Sequence, residues 1–177
     1  MANEQQVFNR IKAKLQRAVS SLPKVIGNDA VNFSLDRFKD QNWIGDSTEP
    51  WLPRSTNNKK NVGKAILIQT GRLRRGTRIL SVGENKVVIG NDVPYARIHN
   101  YGGKIQRHER SETFKRNRFT RGTRKGKFKK GTTAGKGFTY KAGVVNMPKR
   151  QFMGKSQYLV ARLKRTGQIQ ILKALRT

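Results

Sequence analysis

Side chains able to carry acid–base or metal chemistry are few and widely spaced in this chain. Its 177 residues include two histidines, His99 and His108, ten acidic residues and no cysteine. Without cysteine there is no disulfide, no thiolate zinc site and no cysteine nucleophile. The acids lack metal-ligand spacing, and no serine lies in a nucleophile-elbow context. The sequence therefore predicts no catalytic residue, no metal site and no cofactor.

The two histidines have simpler explanations than catalysis. Asp92 precedes His99 by seven residues, but no nucleophile accompanies this pair. We interpret His99 as a packed or interface residue rather than a general base. His108 is interpreted as one more side chain of a cationic segment.

A glycine-rich stretch resembles a phosphate-binding loop only superficially. Residues 130–137 are Lys-Gly-Thr-Thr-Ala-Gly-Lys-Gly. That motif requires Gly at its first position and Ser or Thr at its last, where this chain has Lys130 and Gly137. No apolar strand precedes the stretch either. We reject a nucleotide-binding loop.

The strongest chemical signal is a basic arm at about residues 104–141. It holds fourteen Lys and Arg residues and two acids, a net charge of +12, in a chain of formal net charge +29. Such charge favours a polyanion or an acidic protein surface as partner. The residues expected to contact that partner are Arg116, Arg118, Arg121, Arg124, Lys125, Lys127, Lys129 and Lys130.

The arm carries no motif that reads a base sequence. It has no zinc-finger spacing, RNP-type stretch or basic zipper, so any DNA contact is expected to be sequence-independent. Five glycines between residues 122 and 137 disfavour a helix, so we expect the arm to be mobile until a partner orders it. The alternative is a solvated loop that binds nothing specific.

Apolar periodicity predicts helices in the N-terminal part of the chain. Residues 4–22 repeat apolar side chains every three or four positions, as do residues from about 24 to 39. Pro23 lies between them and is expected to stop the helix or restart it. A further short helix is predicted over residues 64–73.

The second half of the chain predicts strands and a closing helix. Two β-branched runs over residues 77–90 flank a glycine-containing turn, which indicates a β-hairpin. Pro94 suits the first turn of a short helix that Asn91 or Asp92 caps. Residues 138–145 are expected to return as a strand, and residues 156–175 form the closing helix.

Together these elements predict the fold class α+β: N-terminal helices, a small antiparallel sheet with a β-hairpin, a C-terminal helix and a long basic loop insertion. We expect a single domain over residues 1–177. The polar start of the chain lacks the apolar core of a signal peptide, and no apolar run approaches the ~20 residues of a membrane span. We therefore expect no membrane partner, and a protein kept in a cytoplasm or in a particle assembled there.

Two short blocks, residues 93–103 and 147–154, combine aromatic side chains with proline and glycine. Each fixes a turn and has rings to bury. We expect the blocks to lie close together and to build a surface between subunits. The predicted interface residues are Tyr95, His99, Tyr101, Arg150 and Phe152. The alternative is that both blocks are ordinary core within one subunit.

Read in order, several segments resemble the virion morphogenesis family of tailed bacteriophages, the Mu-like tail-completion proteins. The resemblance extends from about residue 30 to residue 156. It rests on Arg37-Phe38, Trp51-Leu52-Pro53-Arg54, Leu67-Ile68-Gln69-Thr70-Gly71-Arg72-Leu73-Arg74, Val88-Ile89-Gly90 and the two blocks.

This resemblance implies a structural virion protein, not an enzyme, that assembles as a ring with sixfold symmetry in the phage neck. Its role would be to complete the tail and join it to the DNA-filled head, in contact with neighbouring neck and tail-tube or tail-terminator proteins. Localisation would be the neck and tail of the virion, after synthesis in the host bacterial cytoplasm. The length and charge of the arm depart from the family pattern.

A ribosomal or nucleoid-type nucleic-acid-binding protein is the main alternative, because a large positive charge is ordinary in that class. The two aromatic blocks disfavour it, since they use Tyr95, Tyr101 and Phe152 for packing or protein contact. A nuclease or other enzyme is the third possibility, which the small number of acids disfavours.

Overall fold

The computed structural model describes residues 2–54, 65–115, 117–127, 129 and 133–176. Its contacts divide the chain into two compact units. The helical unit consists of Met1–Gly102 with Pro148–Thr177, and the strand unit is Gly103–Met147. That the chain is one domain with an arm at about residues 104–141 stays a prediction.

One long helix opens the helical unit. Helix α1 is Ala2–Asp40, and Pro23 lies inside it, so the prediction of two helices is wrong. A proline inside a helix removes one hydrogen bond and costs roughly 3 kcal/mol. Helix α4, Gln157–Arg176, packs along α1 on both sides of the proline, where Ser21 and Asp29 contact it. Tertiary packing thus offsets the local cost.

Helices α1 and α4 run antiparallel and are joined by a partly buried ion pair. The Asp29 carboxylate accepts hydrogen bonds from Arg162 Nε at 2.8 Å and from Thr166 Oγ1 at 2.7 Å. Arg162 Nη1 also lies 3.5 Å from Asp36. The closing helix is confirmed, and Gly167 does not break it.

The predicted β-hairpin is confirmed. Strand β3, Thr77–Val82, pairs with β4, Val87–Asn91, in antiparallel register with an irregularity between Ile79 and Ser81. The hairpin packs on α1 at Gly27, where an added Cβ would lie 2.6 Å from Val87 Cγ2 and 3.0 Å from Ile79 Cδ1. Glycine at this position therefore permits the close approach of strand and helix.

Short elements connect α1 to the hairpin. Strands β1, Asn42–Ile44, and β2, Thr48–Pro50, form an antiparallel pair. Helix α2 is only Arg72–Arg75, so the helix predicted over residues 64–73 is wrong where it is described. Leu67 and Gly71 adopt left-handed φ values of 61° and 69°, which interrupt a right-handed helix.

The core of the helical unit gathers residues from distant parts of the sequence. Phe38 lies at its centre, with ring centroids 5.7 Å from Trp51 and 4.9 Å from Phe152. Helix α3, Ala96–Tyr101, follows the hairpin and contributes Ala96 to this core. The buried members of the cluster are Phe38, Trp51, Ile66, Leu73, Val93, Ala96 and Phe152.

The predicted capping of α3 is wrong. The helix begins at Ala96, and no side chain caps its start. Asn91 instead donates to Leu73 O at 2.7 Å and accepts from Val93 N at 3.0 Å. Its amide thus ties the end of β4 to α2. Gly102 follows the last residue of α3, and its N–H donates to Ile98 O at 2.9 Å.

The strand unit corrects the predicted loop insertion. Strand β5, Gly103–Arg107, pairs with β8, Gly143–Met147, and β6, Arg110–Lys115, pairs with β7, Thr133–Tyr140; both pairs are antiparallel. Glycines that disfavour a helix do not prevent strand pairing, because backbone groups make its hydrogen bonds. Among residues 103–110, 117–127, 129 and 139–147 of this unit, none is buried.

The α+β class is confirmed, with a different arrangement of strands. The described strands form four separate antiparallel pairs rather than one small sheet. The single strand predicted over residues 138–145 is wrong, because this range includes the end of β7, residues 141–142 and the start of β8. Strand β8 pairs with β5 and not with the β3–β4 hairpin.

Candidate functional sites: the block junction and the cationic tip

The two aromatic blocks lie side by side, and Asn100 joins them. Asn100 Oδ1 accepts hydrogen bonds from the N–H groups of Phe152 and Met153, both at 2.9 Å. Its Nδ2 donates to Met153 O at 3.0 Å, and Arg150 N donates to His99 O at 2.8 Å. We call this contact the block junction. Asn100 belongs to the first block, but nothing in the sequence pattern predicted this role for it.

Arg150 fixes a third segment to the block junction. Its side chain is buried, and its guanidinium donates to Leu52 O at 2.9 Å and to Pro53 O at 3.1 Å. Burial, and then the nearby charge of Arg54, lower the pKa of Arg150. The charged group is therefore satisfied by backbone carbonyls inside the subunit and makes a structural contact.

The predicted interface residues divide into two groups. Phe152 is 1% exposed and packs on Phe38, and Arg150 is also buried, which corrects the expectation that these two form a surface. Phe152 turns inward because burial of its ring in this core is favourable. Arg150 turns inward because backbone carbonyl groups accept its hydrogen bonds. Tyr95 and Tyr101 are 42% and 66% exposed. Their contact with a neighbouring subunit stays a prediction.

His99 lies between the two groups and is half-buried. Its ring meets Tyr95 edge to face, with centroids 5.8 Å apart. Its Nδ1 is buried with no hydrogen-bond partner among the described residues. Desolvation, and then the charge of Arg150, lower the pKa of His99. A neutral, packed imidazole without an orienting carboxylate agrees with a packing role rather than general-base chemistry.

In the middle of the basic arm, residues 117–127 and 129 form a two-stranded ribbon, which we call the cationic tip. Phe119 N donates to Lys127 O at 3.0 Å, and Lys129 N donates to Asn117 O at 2.8 Å. The turn is closed by Lys125 N, which donates to Gly122 O at 2.9 Å. Gly122 has a φ of 75°, in the region that favours glycine.

The cationic tip brings together six of the eight predicted contact residues. Lys129 Nζ lies 5.4 Å above the centre of the Phe119 ring. Arg116 and Lys130 lie outside the described residues. The six cations on the tip, all exposed, are Arg118, Arg121, Arg124, Lys125, Lys127 and Lys129.

The distribution of acids isolates this charge. All ten Asp and Glu residues lie between residues 4 and 112, and residues 113–177 contain nineteen Lys and Arg residues with no acid. No acid lies within the tip, and the nearest one along the sequence is Glu112, five residues before Asn117. The lack of acids after residue 112 can be seen in the sequence. A count of charges over residues 104–141 does not show it, because that range includes Glu109 and Glu112.

An apolar groove lies on α1, and sequence reasoning did not identify it. Phe8, Ile11, Leu15 and Val19 line it, and the turn between β3 and β4 forms its other wall. Phe8 is 61% exposed, although phenylalanine is usually covered in a folded protein. The helical spacing of apolar side chains in residues 4–22 predicts a helix, but it does not show which side of that helix stays uncovered.

The described residues contain neither a candidate metal site nor a membrane-spanning helix. They hold no group of three or more His, Asp or Glu side chains placed to bind a metal ion. None of their helices combines the length and apolarity required to cross a membrane.

Comparison with known proteins identifies the family. The model of the phage virion morphogenesis family matches residues 2–165 of the 177. The chain belongs to the phage virion morphogenesis family. This protein therefore has a role in building phage particles, as predicted from the segments that resemble this family. The match includes both blocks, the hairpin and the strand unit. No curated protein and no solved structure matches the chain significantly.

Proposed function

We propose that this protein is a structural subunit of the phage neck, which completes the tail and joins it to the DNA-filled head. Six copies form a ring there, in contact with neighbouring neck and tail-tube or tail-terminator proteins. The observation that carries this proposal is the family match over residues 2–165, which includes the block junction. A ribosomal or nucleoid-type role finds no support in that match.

Exposed apolar side chains support assembly with other copies of the chain. The groove on α1 is lined mainly by apolar carbons, with Lys12 and Glu84 beside them. Contiguous apolar surface of this kind commonly marks a protein contact. Such a surface suits another protein better than a phosphate backbone, so we assign it, with exposed Tyr95 and Tyr101, to the neighbouring subunit.

The protein acts without catalysis or a cofactor in this proposal. Histidines and acids, the side chains most often used in acid–base chemistry, are few in the sequence, and His99 is packed at the block junction. The protein would be made in the host bacterial cytoplasm and would remain in the neck of the finished virion.

Deletion of the gene from the phage tests the proposed function. Electron microscopy of the lysate should show filled heads and separate tails that have not joined, and a plasmid copy of the gene should restore infectious particles. Normal infectious particles without the protein would refute the proposal.

A further inference from the structure

Backbone hydrogen bonds fold the cationic tip back on itself. Phe119 N donates to Lys127 O, Gly126 N donates to Phe119 O, and Lys129 N donates to Asn117 O. Gly122 and Gly126 adopt left-handed φ values at the turn. The cations on both sides of the turn therefore lie within one short ribbon. That the arm is mobile until a partner orders it stays a prediction.

The polar groups on the tip match the chemistry of a phosphodiester backbone. Its cations include three arginines, whose planar guanidinium groups fit phosphate oxygens in pairs. Thr120 and Thr123 are also exposed and add hydroxyl donors. Phe119 is the one apolar side chain among the described tip residues, and it is half-buried.

This composition favours nucleic acid over an acidic protein. A stable protein interface normally has an apolar centre within a polar rim, and the described surface of the tip offers no such centre. Binding to a phosphate backbone needs none, because the release of counterions supplies the free energy. A two-stranded ribbon is also narrow enough to enter the major groove of duplex DNA.

We infer that the cationic tip is a sequence-independent binding site for duplex DNA, with Arg121, Arg124, Lys125 and Lys127 as its principal phosphate contacts. The inference goes beyond the proposed neck function and does not rest on it. It follows from the tip's geometry and from the absence of acids after residue 112.

The test compares two variants of the full chain that lose the same charge in different places. The tip variant replaces Arg121, Arg124, Lys125 and Lys127 with Gln. The control variant replaces two arginines and two lysines that are exposed on α1 and α4, namely Arg10, Lys24, Lys164 and Arg165, with Gln. Circular-dichroism melts establish that both variants fold.

Binding to random-sequence duplex DNA of roughly 30 base pairs is measured by fluorescence anisotropy at several salt concentrations. With about six phosphates neutralised, wild-type affinity should fall about thousandfold between 50 and 200 mM salt, a log–log slope near −5. The tip variant should lose only about tenfold over the same range, with a slope near −2. The control variant should keep a slope within about one of the wild type.

An intermediate variant and a competitor make the result decisive. Arg124→Gln with Lys125→Gln should give a slope midway between the wild type and the tip variant. Poly-glutamate at equal charge should compete poorly against the duplex. Equal slopes for the tip and control variants, no DNA binding by the wild type at about 50 mM salt, or equal competition by poly-glutamate would each overturn the inference.

Discussion

Asn100 shows how one side chain determines the local structure of the block junction. Its amide pairs with backbone groups of Phe152 and Met153, which follow it far along the chain. Both the donor and the acceptor of the side chain are used. A buried amide satisfied in this way specifies one arrangement of the two blocks, because any other would leave polar groups without partners.

Phe152 and Tyr101 should respond differently to truncation. Phe152→Ala removes a fully buried ring and should lower the free energy of unfolding by about 3–5 kcal/mol. Tyr101→Ala removes a mostly exposed ring and should leave the melting temperature nearly unchanged while weakening self-association. Thermal melts and sedimentation separate these effects. A large loss of stability in Tyr101→Ala would contradict its assignment to the subunit surface.

His99 should make stability depend on pH. Because folding lowers the pKa of His99 below its usual value of 6.5, the unfolded chain binds more protons than the folded chain as the pH falls through that value. Stability should therefore be highest above about pH 6.5 and decrease toward about pH 5.5, as protonation favours the unfolded chain. Urea unfolding across this range measures the dependence.

Two substitutions assign that dependence to its residue. His99→Gln should reduce the pH dependence, while replacement of the exposed His108 with Gln should leave it as in the wild type. If His99→Gln and the wild type lose stability equally as the pH falls, another group is responsible.

At the scale of elements, the α1–α4 pair explains why Pro23 does not end the first helix. Asp29 on α1 contacts Arg162 and Thr166 on α4, and its hydrogen bond is the main cause that raises the pKa of Arg162. These contacts hold the second half of α1 in line with the first. The apolar periodicity of the sequence predicts both halves of α1. It does not predict that they form one helix, because α4, which packs along both halves, lies at the other end of the chain.

Asp29→Asn should weaken this pair of helices. The substitution keeps the shape of the side chain and removes its charge, so we expect a loss of about 1–3 kcal/mol in the free energy of unfolding. Asp46→Asn, at an exposed position, is the matched control and should change stability little. Urea denaturation at neutral pH measures both variants, and equal losses would mean that Asp29 holds no special place between the helices.

The strand unit marks the limit of sequence-based prediction for these elements. The hairpin at residues 77–90 was predictable because β-branched runs flank a glycine turn, and the structure has it. The first five residues of strand β7 include two glycines and one lysine, so this part of the strand gives little strand signal. Strand β6 pairs with β7 through backbone hydrogen bonds, although the two strands are separated in the sequence. Backbone pairing between separate segments produces no pattern of side chains within either segment.

The same limit applies to the candidate sites. The proximity of the two blocks followed from their proline, glycine and aromatic content, and the six tip cations followed from charge alone. The inward direction of Arg150 and Phe152 did not, because it depends on Leu52, Pro53 and Phe38, which no local pattern connects to them.

At the scale of the whole molecule, acidic and basic residues are distributed unevenly along the sequence. Acids and the apolar groove belong to the N-terminal two-thirds of the chain, whereas residues 113–177 are basic throughout. A ring of such subunits would concentrate positive charge and repel itself unless a polyanion were present. A neck position beside packaged DNA would supply that polyanion, which connects the proposed function with the cationic tip.

Cryo-electron microscopy of purified phage particles tests the proposed position in the neck. We expect a ring of density at the junction of head and tail into which the helical unit fits, and mass spectrometry should find the protein in the same particles. If the density lies elsewhere in the particle, or the protein is absent from infectious particles, the neck assignment is wrong.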